Sequence, residues 1–132
     1  MKYMLDTNIC VYIMKHIPEV TAALEKNRGF GASISSITLA ELEYGVYNSA
    51  KYEANRETLI KFLPLVKVLP FSEAAAAAYG SFYASLKRKG AIIGQFDALI
   101  AGHALSEGLT LVTNNTREFA RVSGLKIVDW TN

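Results

Sequence analysis

Apolar and polar residues change their spacing along the chain often enough to divide it into alternating short strands and helices. Lys2 to Leu5 is a short apolar run ended by Asp6-Thr7-Asn8, residues that favour turns and helix N-caps, and Ile9 to Lys15 then follows at helical spacing. Pro18 opens a second helix through Leu24 and Lys26, and Gly29 and Gly31 stop it ahead of the strand Ala32-Ser33-Ile34-Ser35. Ser36 is the expected N-cap of a helix from Ile37 to about Tyr47. Its apolar positions, from Ile37 and Leu39 to Val46 and Tyr47, run nearly all round it and predict a buried helix. Tyr52 to Leu63 carries Leu59, Phe62 and Leu63 on one side, and Pro64 closes it before the strand Val66 to Leu69, which Pro70 ends.

Ser72 caps a long alanine-rich helix reaching Lys89, with Lys87, Arg88 and Lys89 placed favourably for the helix dipole and Gly90 as the stop. A helix from Gln95 to Glu107 ends at Gly108, the strand Leu109 to Thr113 follows, and Asn114-Asn115-Thr116 turns into a short helix around Phe119. Lys126-Ile127-Val128 makes a last strand. Strands alternating with helices, several of them apolar on both faces, predict an α/β fold. Its sheet is parallel, of four to five strands, with helices on both faces and residues 1–132 in one domain.

Composition narrows the functional classes. Apolar residues are 51% and charged residues 20% of the 132, which excludes disorder and predicts an apolar partner surface. The helix bearing Tyr79, Phe82 and Tyr83 is the candidate for a homodimer contact. A single cysteine, Cys10 in an apolar run, excludes a disulfide framework and points to a reducing compartment and to core packing. Asp6 interrupts any apolar leader, so a cytoplasmic location is expected, and no apolar stretch approaches the roughly 20 residues that span a bilayer. Fourteen Lys and Arg against twelve Asp and Glu leave a net charge of +2, with no basic tail.

The chain has only three aspartates, Asp6, Asp97 and Asp129. In an open parallel sheet, chemistry collects beyond the carboxyl ends of the strands. Asp6, Thr7 and Asn8 follow the first predicted strand there; Ser35 and Ser36 follow the second, with Glu41 little more than a turn further on; Thr113, Asn114 and Asn115 follow the fourth. Asp97 opens the helix before that strand. Taken singly, Asp6 also serves as an N-cap and Asp97 as first-turn charge on its helix. Glu41 is different, because a carboxylate in an otherwise apolar helix costs several kcal/mol if buried unpartnered. Three convergent carboxylates suit a hard divalent cation, Mg²⁺ or Mn²⁺, which polarises a phosphodiester and activates water.

Four segments carry a resemblance: Leu5-Asp6-Thr7-Asn8; Ser36-x-Thr38-x-x-Glu41-Leu42-x-x-Gly45; Gly94-x-Phe96-Asp97-x-x-Ile100-Ala101; and Leu111-Val112-Thr113-Asn114-Asn115-x-x-Glu118-Phe119. In this order and at these separations the chain resembles the PIN-domain ribonucleases, and more narrowly the VapC toxins of bacterial VapBC toxin-antitoxin pairs. The resemblance implies a PIN-like fold and an Mg²⁺- or Mn²⁺-dependent endoribonuclease acting on RNA, with tRNA the first candidate. It also implies a homodimer, held in a larger complex by a VapB-type antitoxin. It makes Asp6, Glu41 and Asp97 the catalytic metal ligands, supported by Thr7 and Asn8, with Ser36 holding a ligand or capping its helix. Where the family often has a fourth acid, this chain has Asn115, and Glu118 stands nearby to compensate or to charge the first turn of its helix.

Lys15, His16, Arg117 and Arg121 follow rim loops and are the candidate RNA contacts, while Lys87-Arg88-Lys89 reads as a solvated face. His103, six residues past Asp97 on an apolar helix, reads as a satisfied structural histidine. A phosphoacceptor domain of the receiver or haloacid-dehalogenase type is disfavoured. Asp6-Thr7-Asn8 lacks paired aspartates and the third strand ends in Leu69-Pro70-Phe71. The alternative within the same fold is a catalytically silent interaction module, which the three acids oppose and Asn115 favours.

Overall fold

Five short parallel strands form the sheet, in the order β3-β2-β1-β4-β5. The computed structural model describes residues 1–132. β1 is Tyr3–Leu5, β2 Ala32–Ser35, β3 Lys67–Leu69, β4 Thr110–Val112 and β5 Ile127–Val128. The helices are α1 Thr7–Met14, α2 Pro18–Lys26, α3 Ser36–Tyr47, α4 Tyr52–Phe62, α5 Glu73–Arg88, α6 Gln95–Glu107 and α7 Thr116–Phe119, with 3₁₀ turns at Arg28–Phe30 and Leu63–Leu65. Register places Met4 beside Ser33 and Leu111, so β1 lies in the middle of the sheet. The chain builds outward from β1 through β2 to β3, then crosses to the other side of β1 with β4. Beyond the ends of β1 and β4, that reversal marks the point where open parallel sheets gather their chemistry.

Alternation along the strands divides the core between two faces. Tyr3, Leu5, Ile34 and Val112 pack with Ile9, Cys10 and Ile13 of α1, Leu42 and Val46 of α3, and Leu59 and Phe62 of α4. Met4 and Leu111 point the other way, into Leu86 of α5, Ala98 to Ala104 of α6, and Phe119. Helices thus cover both faces, as parallel strands buried on both sides require. Cys10 is fully buried.

The sequence boundaries shift at functionally telling places. α1 begins at Thr7 rather than Ile9, because Asp6 takes the N-cap position and accepts from the Ile9 N–H at 2.9 Å. The cap of α3 is Ser35, whose Oγ accepts from the Ile37 N–H at 3.1 Å. Ser36 lies inside the helix and accepts instead from the Phe71 N–H at 3.0 Å. Nor is α3 buried all round: Thr38, Leu42 and Val46 are covered, whereas Tyr44 and Tyr47 stand in solvent. The Arg56 guanidinium lies over the rings of Tyr47 and Tyr52, which gives these aromatics a surface partner instead of a core.

α5 and α6 approach closely at Gly102, where an added Cβ would sit 2.9 Å from the backbone of Tyr79. Gly102→Ala is expected to cost about 2 kcal/mol, since overpacking outweighs the better helix propensity of alanine. A lower denaturation midpoint with an unchanged slope checks this.

Candidate active site

Asp6, Glu41 and Asp97 come from three elements and stand near enough for the charges of the other two to act on Asp6. Asp6 sits at the exit of β1, its N–H donating to the Val112 carbonyl of β4 at 3.0 Å, and only 3% of it is exposed. Glu41 lies half-buried on α3, its carboxylate accepting from the Thr7 hydroxyl at 2.6 Å. Asp97 lies half-buried in the first turn of α6, where the uncapped helix N-terminus favours a negative charge. Beyond β4, the Asn115 side chain donates to Glu118 at 3.1 Å, and the Asn115 N–H donates to the Thr113 hydroxyl at 2.9 Å.

The charges register one another. Burial raises the Asp6 carboxyl from an ordinary 3.8 to about 6; hydrogen bonds from Thr113 and the Ile9 N–H oppose the rise, and the charges of Asp97 and Glu41 add to it. Asp97 is raised as well, by burial first and then by Glu41 and Glu118, with the Asn115 side chain offsetting part of this. These four acids therefore share one electrostatic field with no basic side chain among the causes of either shift.

The donor set suits a hard cation: every side chain is a carboxylate or offers an amide or hydroxyl oxygen. No three acidic, histidine or cysteine side chains stand close enough to grip a metal together. Mg²⁺ keeps several of its waters and is held through one or two carboxylates, a number that Asp6 and Asp97 alone would supply. Asp6 and Asp97, whose carboxyls are raised first by burial and then by the neighbouring acids, are the groups such an ion would relieve.

A PIN domain model matches residues 3–125. The chain belongs to the PIN-domain family. Within it, the chain is 46% identical over 132 residues to the "tRNA(fMet)-specific endonuclease VapC" of Shigella flexneri, covering 99% of each, and 46% identical over 134 residues to "Ribonuclease VapC2" of Rickettsia felis, covering 98% of each. Its fold matches a chain in the crystal structure of Rickettsia felis VapBC2 bound to a promoter DNA fragment, with a TM-score of 0.94 and 45% identity over 98% of this chain and 99% of that one. The DNA-bound VapBC of Salmonella typhimurium matches with a TM-score of 0.93 and 43% identity, covering 98% of both chains. No helix of this PIN-domain protein is long and apolar enough to cross a membrane.

Several other positions behave differently from their sequence expectation. Thr7 bonds Glu41 and the Thr38 hydroxyl rather than Asp6, and Asn8 is exposed and makes no side-chain hydrogen bond. Thr113, fully buried, takes the supporting role at Asp6. Ser36 neither caps α3 nor faces the acids with its hydroxyl, which is engaged by Phe71. Among the candidate cations, Lys15 lines a hollow of about 420 Å³ that also contains Thr7 and Glu41. His16, at φ 56°, lies in the turn between α1 and α2 and lines a separate hollow with Lys61. Arg121 donates to the Ile92 carbonyl at 3.1 Å and braces the loop ahead of α6, while Arg117 is exposed on α7.

Two aromatic residues at the site's edge were not among the sequence candidates. Tyr44 and Phe96 are 68% and 56% exposed and line one hollow with Thr7, Ala40 and Glu41. Their positions in the motifs, three residues after Glu41 and one before Asp97, were the available signal.

Proposed function

We propose that this protein is the toxin of a VapBC-type pair and an endoribonuclease that hydrolyses tRNA in the presence of Mg²⁺ or Mn²⁺. The observation that carries this reading is the shared field of Asp6, Glu41 and Asp97 past the ends of β1 and β4. A bound divalent cation supplies charge neutralisation at the scissile phosphate and a more acidic water. The chain's own residues do the rest. Asp6 and Asp97 would hold the ion, with Glu41 direct or through water. Thr7 keeps one Glu41 oxygen oriented, and Thr113 and the Ile9 N–H fix the Asp6 carboxylate. Lys15 and Arg117 offer cations to the RNA backbone, and Tyr44 and Phe96 offer faces on which unpaired bases stack.

Relatives in VapBC complexes point to a VapB-type antitoxin as the inhibitor, and the exposed small residues of α5 beside Tyr79, Phe82 and Tyr83 to a homodimer within the larger complex. The test is incubation of antitoxin-free protein with a total tRNA pool, tRNA(fMet) foremost because two relatives carry that specificity. Expected are discrete fragments with 5′-phosphate and 3′-hydroxyl ends, formed with Mg²⁺ or Mn²⁺ and absent with EDTA. Fragments ending in a 2′,3′-cyclic phosphate would exclude hydrolysis by metal-activated water. A folded protein that binds VapB and cleaves nothing with either ion would favour the silent interaction module.

A further inference from the structure

Beneath the acids lies a polar contact that packing alone does not explain. His103 on α6 is fully buried, and its Nδ1 stands 2.8 Å from the Oγ of Ser35, also fully buried, across 68 residues of sequence. Its other ring nitrogen, Nε2, is buried with no hydrogen-bond partner. An unpaired buried polar atom destabilises the fold, a cost that an apolar residue of similar size would avoid. Something other than stability accounts for an imidazole there.

The Ser35 hydroxyl defines the chemistry of the contact. As the N-cap of α3, its oxygen accepts from the Ile37 N–H. Its single hydrogen is available to His103, and we assign Nδ1 as the acceptor with the ring proton on Nε2. The Phe71 ring packs edge-to-face against the imidazole at 5.5 Å, and the Phe71 N–H donates to Ser36. Three segments are thus tied together: the β2–α3 turn, the loop after β3, and α6.

What these segments carry is the site. Ser35 precedes Glu41 by six residues, and His103 follows Asp97 by six, each pair spanning about 9 Å of helix or less. We propose that the His103–Ser35 hydrogen bond is the positioning link that sets Glu41 relative to Asp97, rigidly joining the helices that bear them. The proposal rests on the reading above that these acids form one cation site. His103 is a positioning residue and touches neither ion nor RNA.

The test uses the full-length, antitoxin-free protein with His103→Phe, which keeps ring volume and loses the acceptor, and His103→Asn, which retains an acceptor near the Nδ1 position. Mn²⁺ binding to the metal-free protein is titrated by the electron paramagnetic resonance of free Mn²⁺, beside thermal melting. His103→Phe is expected to melt no lower than the wild type and yet bind Mn²⁺ about tenfold more weakly, the scale of an outer-shell loss. His103→Asn is expected to melt lower and stay within about threefold of wild-type affinity, the reverse ordering from a purely structural role. Wild-type affinity in His103→Phe, or equal loss in both variants, overturns the proposal.

A second measurement needs no variant: imidazole ¹⁵N shifts of the wild type should show Nε2 protonated and Nδ1 accepting, and the opposite tautomer overturns it equally. Asp97→Asn and Glu41→Gln separate the two ideas. If they leave Mn²⁺ binding intact, the cation-site reading fails and the link falls with it; if they weaken binding while His103→Phe does not, only the link fails.

Discussion

Asp6→Asn is expected to slow metal-dependent RNA cleavage by about 10³-fold, or about 4 kcal/mol of transition-state stabilisation, while making the metal-free protein more stable above pH 6. The two effects share one cause. Burial and neighbouring acids raise the folded-state pKa of Asp6 from 3.8 to about 6. The folded protein therefore holds this proton more tightly than the unfolded chain does. The stability it contributes is complete below about pH 4 and is lost as pH rises through about 6, a loss of about 3 kcal/mol at about 1.4 kcal/mol per pH unit.

Asparagine presents a neutral group in the same place and still caps α1 through the Ile9 N–H. The favourable helix N-terminus is already contained in that folded-state pKa, so the gain at pH 8 is the same ~3 kcal/mol. Thermal melting in EDTA from pH 4 to 8 checks the sign: the curves of the two proteins should coincide near pH 4, draw apart between about 4 and 6, and stay apart above that, with the variant higher. Adding Mg²⁺ should then raise the wild type, by linkage to binding, and leave the variant unmoved. A variant less stable than wild type at pH 8 in EDTA would show that Asp6 is held for its capping role and not against an electrostatic strain.

Much of this arrangement is legible in the chain because it is local. Asp6 follows an apolar run of strand length and begins a turn, so the rule that chemistry gathers at strand ends already places it. The alternation of Tyr3, Met4 and Leu5 between the two halves of the core follows from strand period alone. Failures came where neighbours of equal propensity compete or where the deciding contact is distant. Ser35 and Ser36 are equally good caps on paper. What decides between them is that Ser35 is the last extended residue of β2, at φ −70° and ψ 148°, so its side chain turns back over the helix N-terminus. Tyr44 and Tyr47 count as apolar in a periodicity argument, yet their rings lie outside, Tyr47 against an arginine from α4. Nothing within a helix-length window signals that Thr113 supports Asp6 or that His103 reaches Ser35, since those contacts exist only once the sheet has brought β4 and β2 to either side of β1.

The position with an amide in place of an acid gives the second large effect. Asn115 donates to Glu118 and helps hold the Asp97 carboxyl down, so it separates two carboxylates that would otherwise face each other with no donor between them. Asn115→Asp removes a donor to charged partners and adds a third charge, which should lower the stability of the metal-free protein at pH 8 by about 3 kcal/mol. The same charge strengthens the field around a cation, and an added carboxylate should tighten Mn²⁺ binding about tenfold, or about 1.4 kcal/mol. Destabilisation in EDTA together with a larger melting shift on adding Mn²⁺ is the joint signature. Binding stoichiometry then decides what the amide does: a rise from one Mn²⁺ to two would mean that Asn115 keeps a second ion out of the free enzyme. Unchanged stoichiometry with tighter binding would mean that Asn115 limits only the affinity of one site. Unaltered affinity would place Asn115 outside the cation's reach and leave it the task of holding Glu118 away from Asp97.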